Sequence, residues 1–337
     1  MNDILIGINR YYQNLDLLVQ NPTLIKNILR VYLGKLFKKK NLIRQVEIAI
    51  GYECNAKCEQ CSCAKSLDKK RKRLSINQFK RLIDESINLG AFQFNITGGE
   101  PLLYFKETKE LIRYINYKKC YSHLCTNSIL LNKNRLTELK KLGLNSIEFG
   151  FDSANPKVHN DNRNAHAYEN VLFSTKLARS LNVKVIWDTI ITPQKIRNGD
   201  LMAVIKLAKI YGAMVQITPP CLTGKWNKNK SILLSEDDKK YFKKVLKIRH
   251  VRTDTFSSFL NPGCPAAREK LAVNPYGDVL PCSLIQITYG NFLKQSLSDI
   301  QKEMLKEPYY KGGKGILSCL PSFDEQFISM FMKQNSR

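Results

Sequence analysis

From Val46 onward, short apolar runs alternate with longer stretches in which apolar residues recur every three or four positions. Val46–Ile50, Phe92–Ile96, Tyr121–Cys125, Ser146–Phe151, Val183–Ile191 and Met214–Thr218 read as strands. Between them the spacing predicts helices over Ser75–Leu89, Phe105–Asn116, Asn134–Leu142, Tyr168–Leu181 and Leu201–Tyr211. Ser75 is placed to cap the first of these, and Gly90 and Gly143 to end two of them. Strands alternating with helices argue for an α/β chain with a parallel sheet. Six such units with polar motifs at the strand C-termini fit a partial (β/α)6 TIM-type barrel, whose function should collect at that rim.

Two further segments flank this region. After Asn21-Pro22-Thr23, apolar residues at 24, 25, 28, 29, 32 and 36 alternate with Lys26, Arg30 and Lys35 and lead to Lys38-Lys39-Lys40. A basic amphipathic helix of this kind either docks on its own barrel or lies on an anionic membrane surface, and docking is the commoner use. Beyond Pro219-Pro220-Cys221 the chain turns Lys/Asn-rich between Gly224 and Lys230. Asn274-Pro-Tyr-Gly277 is turn chemistry between Leu271–Val273 and Val279–Leu280, a β-hairpin that brings Cys264 and Cys282 together. The expected organisation is an N-terminal helical extension over 1–43, the barrel over 44–225 and a small C-terminal domain over 226–337.

With 337 residues, 43% of them hydrophobic, the chain can bury a substantial core. Lys+Arg 54 against Asp+Glu 29 gives a net charge of +25. That balance suits acidic partners, but the basic residues are spread along the chain as on a solvated surface, which makes nucleic acid an unlikely partner. No apolar run approaches the ~20 residues of a bilayer span, and the polar start is not a secretory signal. Ten cysteines in a chain of this length, three at metal-ligand spacing, suggest a reducing cytoplasm in place of a disulfide framework.

Those three are Cys54, Cys58 and Cys61, directly after the first strand. Thiolates select iron-sulfur clusters, zinc or Cu(I), and a set of three leaves one coordination position open or borrowed. About forty residues on, the second strand ends in Gly98-Gly99-Glu100-Pro101. Paired glycines let the backbone approach a ligand closely, and a carboxylate suits an ammonium group. The CxxxCxxC spacing followed by GGEP resembles the radical S-adenosylmethionine (SAM) enzymes over roughly residues 44–220. The resemblance implies a 4Fe-4S cluster on Cys54, Cys58 and Cys61 with one iron free for SAM. It also implies that the Gly98–Glu100 loop meets the cofactor's amino group. Reductive cleavage would yield methionine and a 5′-deoxyadenosyl radical that abstracts a substrate hydrogen. A one-electron reductant such as flavodoxin or ferredoxin would supply the electron.

Other rim residues match less sharply. Thr126-Asn127 resembles the family's pair near the cofactor. Asp152, with His159 and Arg163 beyond, resembles the segment facing the cofactor's ribose and carboxylate. Asp152 reads equally as a loop cap and His159 as an exposed histidine. Gln60 stands where the family usually has an aromatic near the adenine, and Cys63 reads as a bystander thiol. Cys264, followed by Gly277-x4-Cys282, resembles the start of the SPASM and twitch extensions, which hold auxiliary 4Fe-4S clusters. With Cys319 the resemblance implies at most one such cluster, its fourth ligand being Cys221, substrate or nothing; a degenerate, cluster-free domain is the alternative. The resemblance implies peptide or protein maturation, or modification of a small molecule, and assigns no catalytic acid or base. A zinc-binding basic nucleic-acid module is the rival from another class, and it leaves GGEP unexplained. A lipid-modifying enzyme at a membrane surface is the variant within the enzyme class.

Overall fold

The computed structural model describes residues 5–9, 12–13, 22–36, 42–257, 263–311 and 315–334. Six parallel strands follow the predicted order: β1 (Gln45–Ala49), β2 (Gln93–Thr97), β3 (Tyr121–Thr126), β4 (Ser146–Gly150), β5 (Lys184–Ile190) and β6 (Met214–Thr218). Four short strands follow: β7 (Val251–Arg252), β8 (Lys270–Val273), β9 (Asp278–Leu280) and β10 (Gly290–Asn291). The sheet order is β10-β9-β8-β1-β2-β3-β4-β5-β6-β7.

The predicted hairpin is present, since β8 and β9 are antiparallel, but it is not a free-standing sheet. β8 pairs in parallel with β1, Lys270 opposite Gln45 and Val273 opposite Ile48. At the other end β7 adds a parallel strand to β6. The barrel is thus longer than six strands and still open, because β7 and β8 do not pair. Lys270 spans the gap, its Nζ 3.9 Å from Asp254 just past β7 and 2.8 Å from Glu47 on β1. Two residues are too few to give β7 a periodic signal, so the sequence pattern did not show it.

Strand alternation sorts the side chains. On β1, Val46 and Ile48 join the main hydrophobic core, whereas Gln45 and Glu47 line a central cavity. On β3 and β4, Leu124 and Ile147 belong to the core while His123, Cys125 and Glu148 face inward. The outer helices fall within a few residues of expectation. Ser75 caps the helix Ile76–Asn88 in a reciprocal box: its Oγ accepts from Gln78 N at 3.3 Å and its N–H donates to Gln78 Oε1 at 2.8 Å.

The N-terminal helix spans Ile25–Leu36 and is docked. Leu24, Ile28 and Val31 pack with Leu42, Phe92 and Tyr121 beneath the N-terminal ends of β2 and β3. Ile25, Leu29 and Leu33 form a second, exposed stripe. Lys38, Lys39 and Lys40 lie outside the described residues.

Candidate active site

A cavity of about 950 Å³ runs from the loop after β1 into the barrel. Cys54, Cys58, Cys61 and Cys63 line its mouth, with Gly98, Gly99, Asn127 and Arg163 beside them. The cysteine loop has no regular structure of its own, so its backbone groups are satisfied by neighbours. Lys57 N donates to Arg163 O at 3.1 Å and Glu59 N to Asn162 O at 2.9 Å, which clips the loop to the end of the helix Pro156–Arg163. On the far side Lys225 N donates to Cys61 O at 3.4 Å. Ala56 N donates to Cys54 Sγ at 3.4 Å and Asn127 Nδ2 lies 3.7 Å from the same sulfur.

The sulfurs are electrostatically unequal. Burial raises the Cys54 and Cys58 thiols above their ordinary range. The Cys61 thiol is lowered to about 6, mainly by a hydrogen bond from Cys63 and further by Lys225 and Arg163, against the opposing effect of burial. Cys63 Sγ sits 3.7 Å from Cys61 Sγ and 3.6 Å from Gly98 O. In contact with both Cys61 and Gly98, Cys63 is less of a bystander than its spacing suggested.

Gly98 and Gly99 make a close backbone contact with the cysteine loop. Gly98 has φ +138°, and a Cβ at either glycine would run into the backbone oxygens of Gly51, Tyr52 or Glu53. Gly99 N donates to Gly51 O at 2.7 Å and Glu100 N to Glu53 O at 2.9 Å. The glycines therefore let the β2 loop zip onto the start of the cysteine loop, while their free edge lines the cavity.

Glu100 does not meet the cavity. It is fully buried, and its Oε1 accepts from Leu102 N at 2.9 Å and Thr126 Oγ1 at 2.7 Å. Oε2 accepts from Asn127 N at 2.8 Å. Burial raises its carboxyl above the ordinary value, opposed by these donors. Through these bonds Glu100 ties the β2 loop to Thr126-Asn127. Asn127 reaches the rim, its Nδ2 2.8 Å from Asn55 Oδ1.

Asp152 is likewise set back. It accepts from Arg163 Nε at 2.7 Å and Nη2 at 3.0 Å, a bidentate pair almost out of water. Burial pushes the Asp152 carboxyl up, but Arg163 outweighs this and holds it below the ordinary range. Arg163 itself lines the cavity and lies over Gly150, where a Cβ would collide with the guanidinium. His159 is neither exposed nor at the rim. It is wholly buried, accepts from Asp152 N at 3.1 Å through Nδ1, and packs on Phe151 and Tyr168. Burial, then Arg163, lowers its imidazole to about 4.

Deeper in the barrel are inward polar residues that no motif announced. Thr218 Oγ1 donates to Asp188 Oδ1 at 2.6 Å. His123 contacts Ser146 Oγ at 2.7 Å and Glu148 at 3.4 Å. The signal was the polar–apolar alternation of strands such as Gln45-Val-Glu-Ile-Ala49: with helices covering the outer face, the polar set must face the lumen.

Of the distal cysteines, Cys264 and Cys319 lie close enough to affect each other's charge, and the hairpin carries Cys282 to the same end. Cys264, Cys282 and Cys319 are buried, and Ala267 N donates to Pro281 O at 3.1 Å, joining the two ends of the hairpin. Burial pushes the Cys264 thiol up to about 12, with Cys319 adding to it. Cys221 sits in the same group, its Sγ 3.2 Å from Ser322 Oγ.

An open parallel barrel gathers four thiols, a glycine backbone edge and Arg163 around one cavity, and thiols are donors of the kind a soft metal centre takes. The radical SAM superfamily model matches residues 48–208, and the iron-sulfur cluster-binding (SPASM) model matches 264–319. The chain belongs to the radical SAM superfamily and is a radical SAM enzyme with a SPASM domain; the cofactors of that class are 4Fe-4S clusters and SAM. It is 25% identical over 263 residues to the PqqA peptide cyclase of Bradyrhizobium diazoefficiens, covering 73% of this chain and 68% of that protein. It is 28% identical over 183 residues to the probable GTP 3',8-cyclase of Methanococcus vannielii, covering 52% of this chain and 58% of that protein. Among solved structures, Streptococcus suis SuiB bound to precursor peptide SuiA superposes with a TM-score of 0.65 at 17% identity, covering 80% of this chain and 67% of that one. The zinc-module and lipid-modifying readings find no support in these relatives.

Proposed function

We propose that Cys54, Cys58 and Cys61 hold the SAM-binding 4Fe-4S cluster and that the enzyme abstracts hydrogen from a peptide. The observation that carries the first part is that the free thiols Cys54, Cys58 and Cys61 all lie at the mouth of one cavity, beside the Gly98–Gly99 backbone. They fit the cluster by chemistry: soft donors, three in number, on a loop without structure of its own. When bound, the cluster supplies one electron that cleaves SAM to methionine and a 5′-deoxyadenosyl radical.

The protein's own residues bind, orient and exclude water. The Gly98–Gly99 edge offers backbone groups, Asn127 an amide, and Arg163 a cation for the carboxylate of the cofactor's methionine part. Asp152 fixes Arg163, and Glu100 fixes Asn127. A cavity of 950 Å³ lies at the upper end of the roughly 300–1,000 Å³ typical of ligand sites, so cofactor and a substrate side chain fit together. Cys264, Cys282 and Cys319 are proposed as ligands of one auxiliary cluster. The charge of +25 suits an acidic flavodoxin or ferredoxin as reductant.

Peptide is the substrate class supported by the PqqA peptide cyclase and by SuiB with its precursor peptide. Incubating the anaerobically reconstituted enzyme with a deuterated candidate precursor peptide tests this: deuterium must appear in 5′-deoxyadenosine. Transfer from a small polar metabolite, with none from peptides, would replace the reading. Peripheral contact with an anionic membrane has one observation in its favour: Ile25, Leu29 and Leu33 stay exposed beside Lys26 and Arg30. Among the described residues no helix is long and apolar enough to cross a membrane. Co-sedimentation with anionic vesicles, with and without residues 1–40, tests the contact.

A further inference from the structure

The auxiliary site has three cysteines from the C-terminal segment, and a closed cluster takes four protein ligands. Cys319 caps the short helix Leu320–Phe323, and three residues later stands Ser322. Two ligands three apart on one turn are the usual way a chain supplies a pair of thiolates. Here the second place carries an oxygen, a poorer partner for iron-sulfur chemistry than a thiolate.

A sulfur from elsewhere lies beside that place. Cys221 comes from the barrel rim just past β6, 101 residues away in sequence, and its Sγ lies 3.2 Å from Ser322 Oγ. Ser322 Oγ in turn lies 3.5 Å from Cys319 Sγ. Pro219-Pro220 and the bond from Thr223 N to Cys221 O at 2.9 Å fix the segment that delivers it. Cys221 is 5% exposed and Ser322 5%, so the pair is out of water. Of the four sulfurs Cys221 alone reaches the wall of the central cavity. Anything arriving from the cavity therefore meets Cys221 before Cys264, Cys282 or Cys319.

We infer that Cys221 is the fourth thiolate ligand of the auxiliary cluster, replacing the thiol missing at Ser322. The cluster is then closed, and substrate does not bind its iron. This rests on the proposal that Cys264, Cys282 and Cys319 hold a cluster.

The test uses the full chain with Cys54→Ala, Cys58→Ala and Cys61→Ala, so that only the auxiliary site remains. Anaerobic reconstitution of this parent should give about four irons per chain, stable to mild ferricyanide. Adding Cys221→Ala should make at least one iron labile, read as a fallen iron count and a three-iron EPR signal after oxidation. Adding Ser322→Cys to that variant should restore the parent's count and spectrum, which a loss caused by misfolding would not allow. Iron that is equally stable with and without Cys221, or a loss that Ser322→Cys does not repair, overturns the inference. A parent that holds no iron overturns the auxiliary-cluster reading itself, before Cys221 is touched.

Discussion

Glu100→Gln separates a positioning residue from a cofactor contact. Thr126 Oγ1 already accepts from Ser128 N at 3.2 Å, so its proton goes to Glu100, and every partner of the carboxylate is a donor. A glutamine must point its NH2 at one of them. Its cheaper orientation places NH2 against Asn127 N–H and leaves that buried amide unpaired, a cost of ~1–3 kcal/mol, to which the loss of charge assistance on the remaining bonds adds about 1. The total, about 2–4 kcal/mol, corresponds to a fall in thermal midpoint of roughly 3–6 °C for a chain of 337 residues. The amide set free belongs to Asn127, whose side chain holds Asn55 beside Cys54. Iron retention and SAM affinity should therefore fall together with stability. Differential scanning of the apoprotein, iron analysis and SAM binding are the assays. A midpoint within about 1 °C of wild type with SAM binding lost would refute the reasoning, because it would make Glu100 a direct ligand of the cofactor.

His159 sets a pH dependence. Its folded-state value is lowered to about 4, whereas an unfolded histidine titrates near ~6.5, so the stability its neutral ring confers is complete above ~6.5 and is lost as pH falls toward 4. His159→Asn should flatten the decline of apoprotein stability across that window by up to about 3 kcal/mol, and an unchanged slope would assign the decline elsewhere. Cys63→Ala should keep the first cluster at the wild-type iron count, since Cys54, Cys58 and Cys61 supply its three sulfurs; loss of the cluster would make Cys63 a ligand.

How much of this was legible before the structure differs by element. The six main strands and the helices between them were, because each alternates or repeats over enough residues to show its period. β7 was not, at two residues, and neither was the pairing of β8 with β1, which joins segments more than 200 residues apart and has no local signal. The cysteine loop and the glycine pair could be read from spacing. The roles of Glu100 and Asp152 could not, since a motif names a residue and says nothing of which way its carboxylate turns. Both turned inward to hold a neighbour, and Arg163 and Asn127 face the cavity in their place. Cys221 carried no motif of its own, and only the fold sets it beside Ser322.

The central claim is that Cys54, Cys58 and Cys61 hold a cluster that cleaves SAM. Anaerobically reconstituted protein given dithionite and SAM should form 5′-deoxyadenosine, and Cys58→Ala, with its auxiliary iron intact, should form none. Folded wild-type protein that binds only zinc, or a Cys58→Ala variant that still forms the product, would contradict it.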